Sequence, residues 1–147
     1  ESARSADRDG LQEMLAFIAA TRFPDRLHAT ASIHPGGLVT ADPASPHLRA
    51  GAAQARMYFA IARDDIFCTR EQADTLEQTL TALGKRHRIE HYEARHGWAV
   101  IDTPVYDAAQ AERHWEAILA LFAAGVRSPP WTTRWTGQSR TVAGSSP

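Results

Sequence analysis

Two stretches of this chain hold side chains suited to proton transfer. Asp64-Asp65 closes the apolar run Met57-Tyr58-Phe59-Ala60-Ile61-Ala62, and His96-Gly97-Trp98 comes just after Arg88-Ile89-Glu90-His91-Tyr92-Glu93. A carboxylate bonded to one imidazole nitrogen fixes the tautomer and steadies the imidazolium, leaving the other nitrogen to deprotonate a hydroxyl or thiol. Asp65 and His96 suit those two roles. Asp65 is preferred because Asp64 lies nearer the strand, where turn hydrogen bonds compete for it. Taken alone, an Asp-Asp after a strand reads as two solvated carboxylates, and a lone histidine as one tied into a turn; the two loops together favour the chemical reading. They form two thirds of a nucleophile, acid and histidine set, which in that chain order requires a nucleophile upstream.

Other constellations carry less. Cys68 lies on the acid loop, and buried free cysteines are commonly inert packing residues. His87 and His91 share a strand face with His34 expected at a neighbouring strand end, yet no Cys, His and carboxylate set has a recognisable ligand spacing, so neither a metal nor another cofactor is expected. His34-Pro35-Gly36-Gly37 reads as a turn, because as an oxyanion loop it would have to precede the nucleophile. Arg134 and Arg140 are too sparse for a nucleic-acid patch.

The elements that must position Asp65 and His96 follow from periodicity. Leu11, Met14, Leu15 and Ile18 give one helix face running to about Arg22, where Phe23-Pro24-Asp25 stops it. Ala29 to Ile33 is a short buried strand emptying into the His34 to Gly37 breakers, and the chain to Ala55 is loop-rich. Met57 to Ala62 has the continuous apolar character of a parallel strand covered on both faces. Thr69 and Gln72 have capping-box spacing ahead of a stripe of Ala73, Leu76, Leu80 and Leu83 that ends at Gly84. Arg88 to Glu93 alternates as a third strand. Asp107 then caps a helix with Ala111, Trp115, Ile118, Leu119 and Phe122 on one side, ending at Gly125. Strands separated by helices imply a parallel sheet with right-handed crossovers, whose ligands gather at the carboxyl strand ends, where both Asp65 and His96 fall.

Size and composition bound the rest. With 147 residues, 44% of them apolar, the chain is long enough for one domain with a real core. Sixteen basic and 17 acidic side chains leave no field that would draw it to nucleic acid or an anionic membrane, so a small-molecule partner is expected. One cysteine excludes an internal disulfide and fits a reducing, cytoplasmic location. No run has the length of a membrane span, and Glu1 to Leu11 is too polar for a signal segment. Residues 1–10 read as a disordered or altered leader, 11–125 as the domain, and 126–147, rich in Ser, Thr, Gly and Pro, as a disordered tail to which Trp131 and Trp135 belong.

Three stretches taken together resemble the dienelactone hydrolase family of the α/β-hydrolase superfamily: FPDRLHATASIHPGGLVTADPASPHL, MYFAIARDDIFCTREQ and IEHYEARHGWAVIDTPVYDAAQAERHWEAILALF. The resemblance runs from about Leu11 to Phe122 and implies an α/β fold, here the carboxyl-terminal part, with parallel strands and flanking helices. It implies that Asp65 and His96 are the catalytic acid and histidine, with Gly97 and Trp98 shaping the substrate site, in hydrolysis of an ester or lactone.

Two departures qualify the activity. The family's nucleophile sits on a Gly-x-Cys-x-Gly-Gly elbow at the start of the helix leading into the Phe-Pro-Asp-Arg segment, which here falls near Gly10. Arg8 to Glu13 has no Cys or Ser, and Ser2 and Ser5 lack the flanking glycines that the strained elbow needs. Secondly, Ala99-Val100-Ile101-Asp102 stands where dienelactone hydrolase proper has an arginine for the substrate carboxylate. Two readings result. One is a carboxylic ester or lactone hydrolase represented by its carboxyl-terminal part, with little or no turnover for lack of the nucleophile. The other is a catalytically silent truncated homologue or a small-molecule-binding or interaction module. An incomplete sheet would leave Ala29 to Ile33 as an edge through which copies self-associate.

Overall fold

The computed structural model describes residues 14–126 and 140–141. In chain order it contains helix α1 at residues 14–22, strand β1 (Ala29–Ile33), a 3-10 helix (Pro46–Ala52), β2 (Arg56–Ala62), α2 (Arg70–Ala82), β3 (His87–Tyr92), α3 (Ala108–Val126) and the two-residue strand β4 (Arg140–Thr141). The strands form one parallel sheet in the order β1-β2-β3-β4.

β2 sets the architecture. Its seven residues are all buried, as a central strand with helices on both faces requires. Successive side chains alternate between those faces. Met57, Phe59 and Ile61 join Ile89 in packing against Phe17 and Ala20 of α1 and Ala73, Leu76 and Leu80 of α2. Tyr58, Ala60 and Ala62 join Tyr92 and Trp98 against Ala117 and Leu121 of α3. The registers Ile33↔Ala60 and Ala62↔Tyr92 bring the carboxyl ends of the three longer strands level, so the loops after them converge.

The caps expected of α2 are present. Thr69 Oγ1 accepts from Gln72 N while Gln72 Oε1 accepts from Thr69 N at 2.8 Å. At the far end Gly84, at φ +63°, allows Lys85 N to reach Leu80 O and Gly84 N to reach Thr81 O, the pairing of a Schellman motif. Asp107 caps α3, its Oδ1 accepting from Gln110 N at 3.0 Å.

Four features differ from the sequence reading. The buried face of α3 is Ala111, His114, Ala117 and Leu121, whereas Trp115, Leu119 and Phe122 are exposed, Leu119 at 66% against 1% for Leu121. The largest apolar residues define one stripe in the sequence, but a helix presenting apolar groups on more than one side has no unique face in its sequence. Secondly, β3 is buried on both faces: Glu90 is as inaccessible as Ile89, because Tyr58 and Tyr92 donate to Glu90 Oε2 at 2.9 and 3.0 Å and Arg88 pairs with Oε1. A satisfied carboxylate looks like a surface residue in the pattern. Thirdly, the stretch before Ala55 contains the 3-10 helix, started by Pro46 and fastened by Lys85 Nζ to Gly51 O and Ala53 O. Finally, Arg140–Thr141 pair with Glu90 and His91, so these two positions of the expected unstructured tail are a strand. The expected leader, Leu11 at the start of the first helix, and the rest of the tail lie outside the described residues.

Candidate functional site

Asp65 stands three residues beyond β2, in a turn whose backbone holds it. Phe67 N and Cys68 N donate to its Oδ1 at 2.9 and 3.2 Å, and the carboxylate is buried. That turn follows from the sequence: an Asp whose side chain accepts from amides two and three residues on stabilises a tight reversal. Asp64, one residue earlier, is exposed.

His96 is brought to Asp65 from the loop after β3. Its Nδ1 lies 2.9 Å from Asp65 Oδ2 and 3.0 Å from Oδ1. A carboxylate can only accept here, so Nδ1 carries the proton and donates, leaving Nε2 as the basic nitrogen. No hydrogen bond within the described residues engages Nε2, and the side chain is 18% exposed. Two rings contact the imidazole: Phe67 at 4.7 Å and His34 at 4.9 Å between centroids.

Gly97 follows at φ +88°, a backbone region that a residue with a Cβ enters only with strain. Its carbonyl accepts from Val100 N and Thr103 Oγ1, closing the loop that carries His96. Trp98 is fully buried. It stacks on Tyr92 with centroids 5.0 Å apart and meets His34 edge-on at 5.5 Å. It therefore supports the site from within the core and offers no surface to a ligand, unlike the pocket wall expected of it. Val100 and Ile101, just beyond, are exposed.

The structure brings Asp65, His96 and Gly97 to one place, with Trp98 beneath. Sequence reasoning missed His34 and Phe67 as ring neighbours of His96. His34 carried a usable signal, since it directly follows a strand whose carboxyl end faces the same side as Asp65 and His96. Phe67 carried none.

The alternative chemistries find little support. Cys68 is 4% exposed, and burial, reinforced by Asp65, pushes its thiol up to about 12, so it stays protonated near neutrality. A serine–histidine contact exists at Ser45 Oγ and His47 Nδ1, 2.8 Å apart. Both are buried, and Ser45 Oγ also accepts from Thr40 N, which makes the contact a loop fastener. His87 Nδ1 bonds to Lys85 O, and no group of three or more His, Cys, Asp or Glu is arranged to hold a metal among the described residues. Among them, too, no helix is long and apolar enough to cross a membrane. Within the same residues no serine or cysteine is hydrogen-bonded to His96. Gly10, Ser2, Ser5 and Arg134 lie outside them, and Arg140 enters only through the backbone pairing of β4.

No curated protein matches the chain. Among solved structures it is similar to the one named "Crystal Structure of Putative Dienelactone Hydrolase from Klebsiella pneumoniae subsp. pneumoniae MGH 78578", at 22% identity and a TM-score of 0.69. The likeness covers 76% of this chain and 48% of that one, so the chain spans about half the length of that relative. It shows the same α/β fold. The family model described as "Dienelactone hydrolase family" matches residues 13–125. The α/β sheet and this match agree with the stretches read from the sequence, and the chain belongs to the dienelactone hydrolase family.

Proposed function

We propose that this chain carries the acid and histidine half of a hydrolase acting on carboxylic esters or lactones. The observation that supports it most directly is the hydrogen bond of His96 Nδ1 to a carboxylate that two backbone amides already hold in place. In this reading a nucleophile attacks the ester carbonyl and its proton passes to His96 Nε2, giving an imidazolium steadied by ionised Asp65. His96 then returns the proton to the departing alkoxide as the tetrahedral intermediate collapses, and water repeats the cycle on the acyl intermediate.

In sequence the nucleophile of that cycle belongs ahead of α1, where Arg8 to Glu13 offers no Cys or Ser. Losing it removes on the order of a million-fold of rate. What remains to the chain is His96 acting as general base on water, an effect worth about 100- to 10,000-fold. Substrate class is narrowed by Ala99-Val100-Ile101-Asp102: with Val100 and Ile101 exposed beside the histidine loop, an uncharged acyl group is favoured over one bearing a carboxylate. Gly97 contributes by letting the backbone turn close to the reacting atoms. The free thiol of Cys68 supports a cytoplasmic setting, and β1, paired on one side alone among the described residues, supports self-association.

Hydrolysis of an activated aryl ester by the purified chain, beside His96→Ala and Asp65→Ala, tests the reading. Slow turnover that falls to buffer background in both variants is expected. Equal rates in all three proteins would refute it and favour the second reading, a catalytically silent binding module, which rests on the lack of a Ser or Cys bonded to His96 among the described residues.

A further inference from the structure

We infer that His34 is a positioning residue for His96: its ring, together with that of Phe67, packs against the imidazole and keeps His96 Nδ1 aimed at Asp65. The inference rests on Asp65 and His96 being the proton-transfer pair.

Three observations carry it. The first is contact. The His34 ring lies 4.9 Å from that of His96, tilted by 60°, while Phe67 meets the same imidazole at 4.7 Å and 59°. Asp65 is fixed by Phe67 N and Cys68 N, so the pair is lost most easily by rotation of the His96 ring about its own bond. Such terminal torsions are broad unless neighbours restrict them. The second is backing. His34 is buried and meets Trp98 edge-on at 5.5 Å, and Trp98 is in turn stacked on Tyr92, so the His34 ring is braced against β3, the strand that leads into His96.

The third is backbone strain. Among the described residues His34 is the one non-glycine at positive φ, +44°, and Pro35 follows it, which narrows its allowed conformations further. Its amide still donates to Ala60 O at 2.7 Å, so the β1 to β2 ladder runs up to the residue at which the chain turns over. Gly37 three residues later also has positive φ, so a glycine at position 34 would serve the turn alone. A histidine held there in a costly conformation supplies what glycine lacks, a ring facing His96.

The test reads the tautomer of His96 by nitrogen-15 NMR of the full chain near neutral pH, in the unaltered protein and in His34→Asn, His34→Gly and His34→Phe. Asn and Gly accept positive φ without a ring; Phe keeps a ring of similar reach without a titrating nitrogen. In the unaltered chain His96 is expected as the Nδ1–H form. Loss of that preference, towards the mixture of free imidazole, is expected in His34→Asn and His34→Gly and its retention in His34→Phe. Amide spectra check folding, and Gly carries the comparison should Asn not fold. An unaltered His96 tautomer in the folded ringless variants would overturn the inference while leaving the proton-transfer pair standing. Absence of the Nδ1–H form in the unaltered protein would instead remove the pair itself, and with it the proposed function.

Discussion

Tyr92 and Trp98 stack with 5.0 Å between ring centroids and 22° between planes, joining the last residue of β3 to the turn that presents His96. The same Tyr92 hydroxyl reaches Glu90 and lies 2.5 Å from the Tyr58 hydroxyl, with Arg113 over its ring at 4.5 Å. The loop of the candidate site is thus anchored to a buried polar network on the α3 side of the sheet.

That network is shared, so its members do not act independently. Burial pushes the Tyr58 and Tyr92 hydroxyls up, keeping both as donors to Glu90. Tyr58→Phe and Tyr92→Phe are each expected to cost about 1–3 kcal/mol in chemical denaturation. The double variant should differ from the sum of the two by roughly 0.5 kcal/mol or more, because both hydroxyls use Glu90 Oε2.

The observed register of α3 predicts a contrast between neighbours on the helix. Leu121→Ala opens the core against Ala117 and Tyr58 and should destabilise by about 2–5 kcal/mol. Leu119→Ala, on the exposed side, should stay within about 0.5 kcal/mol of the parent. Equal effects would return the apolar face to where the sequence stripe placed it.

At Gly97 the backbone, not crowding, is the constraint, since an added Cβ would meet Val105 Cγ2 at 3.5 Å, an ordinary contact. Gly97→Ala should therefore cost roughly 1–2 kcal/mol from the left-handed backbone alone. A lowered melting temperature, with loss of any His96-dependent ester turnover, is the expected result.

Stability should fall on acidification through the histidines that fold neutral. Burial lowers His91, helped by Arg70 and Arg63 and opposed by Asp74 and Glu77; burial also lowers His114, opposed by the backbone carbonyls of Gln110 and Ala111 and by Glu112. Below the ordinary histidine value of 6.5 the unfolded chain takes up protons that the folded chain refuses, so stability rises with pH through that window. The melting temperature is expected to be lower at about pH 5.5 than at about pH 7.5. His114→Gln, keeping polarity without titration, should flatten the slope.

Cys68 should be inert while the protein is folded. A thiol raised to about 12 and buried reacts slowly with a disulfide reagent at about pH 8 and quickly once denatured. Cys68→Ala should leave ester turnover unchanged. Abolished turnover would place the cysteine in the chemistry.

The meeting of Asp65 and His96 was legible from sequence because each follows a strand whose pattern is strong: β2 is continuously apolar, and the His-Gly-Trp turn breaks a run of strand-forming residues. The α2 termini were legible because Thr69, Gln72 and Gly84 act through local backbone geometry. What escaped was tertiary. Glu90 reads as solvent-facing until Tyr58, 32 residues away, supplies a donor. Trp98 reads as a pocket wall until Tyr92 and His34 are seen to cover it. His34 reads as a turn residue until β1 is laid beside β2.

Strand order has a consequence for how the site assembles. Each strand of the sheet lies beside its neighbour in sequence, so Asp65 and His96, 31 residues apart, are joined through the single β2-α2-β3 crossover. Loop closure grows only slowly with length, and one closure of this size suffices to bring carboxylate and imidazole together. The pair should then gain hydrogen-exchange protection with β2 and β3 as one cooperative unit.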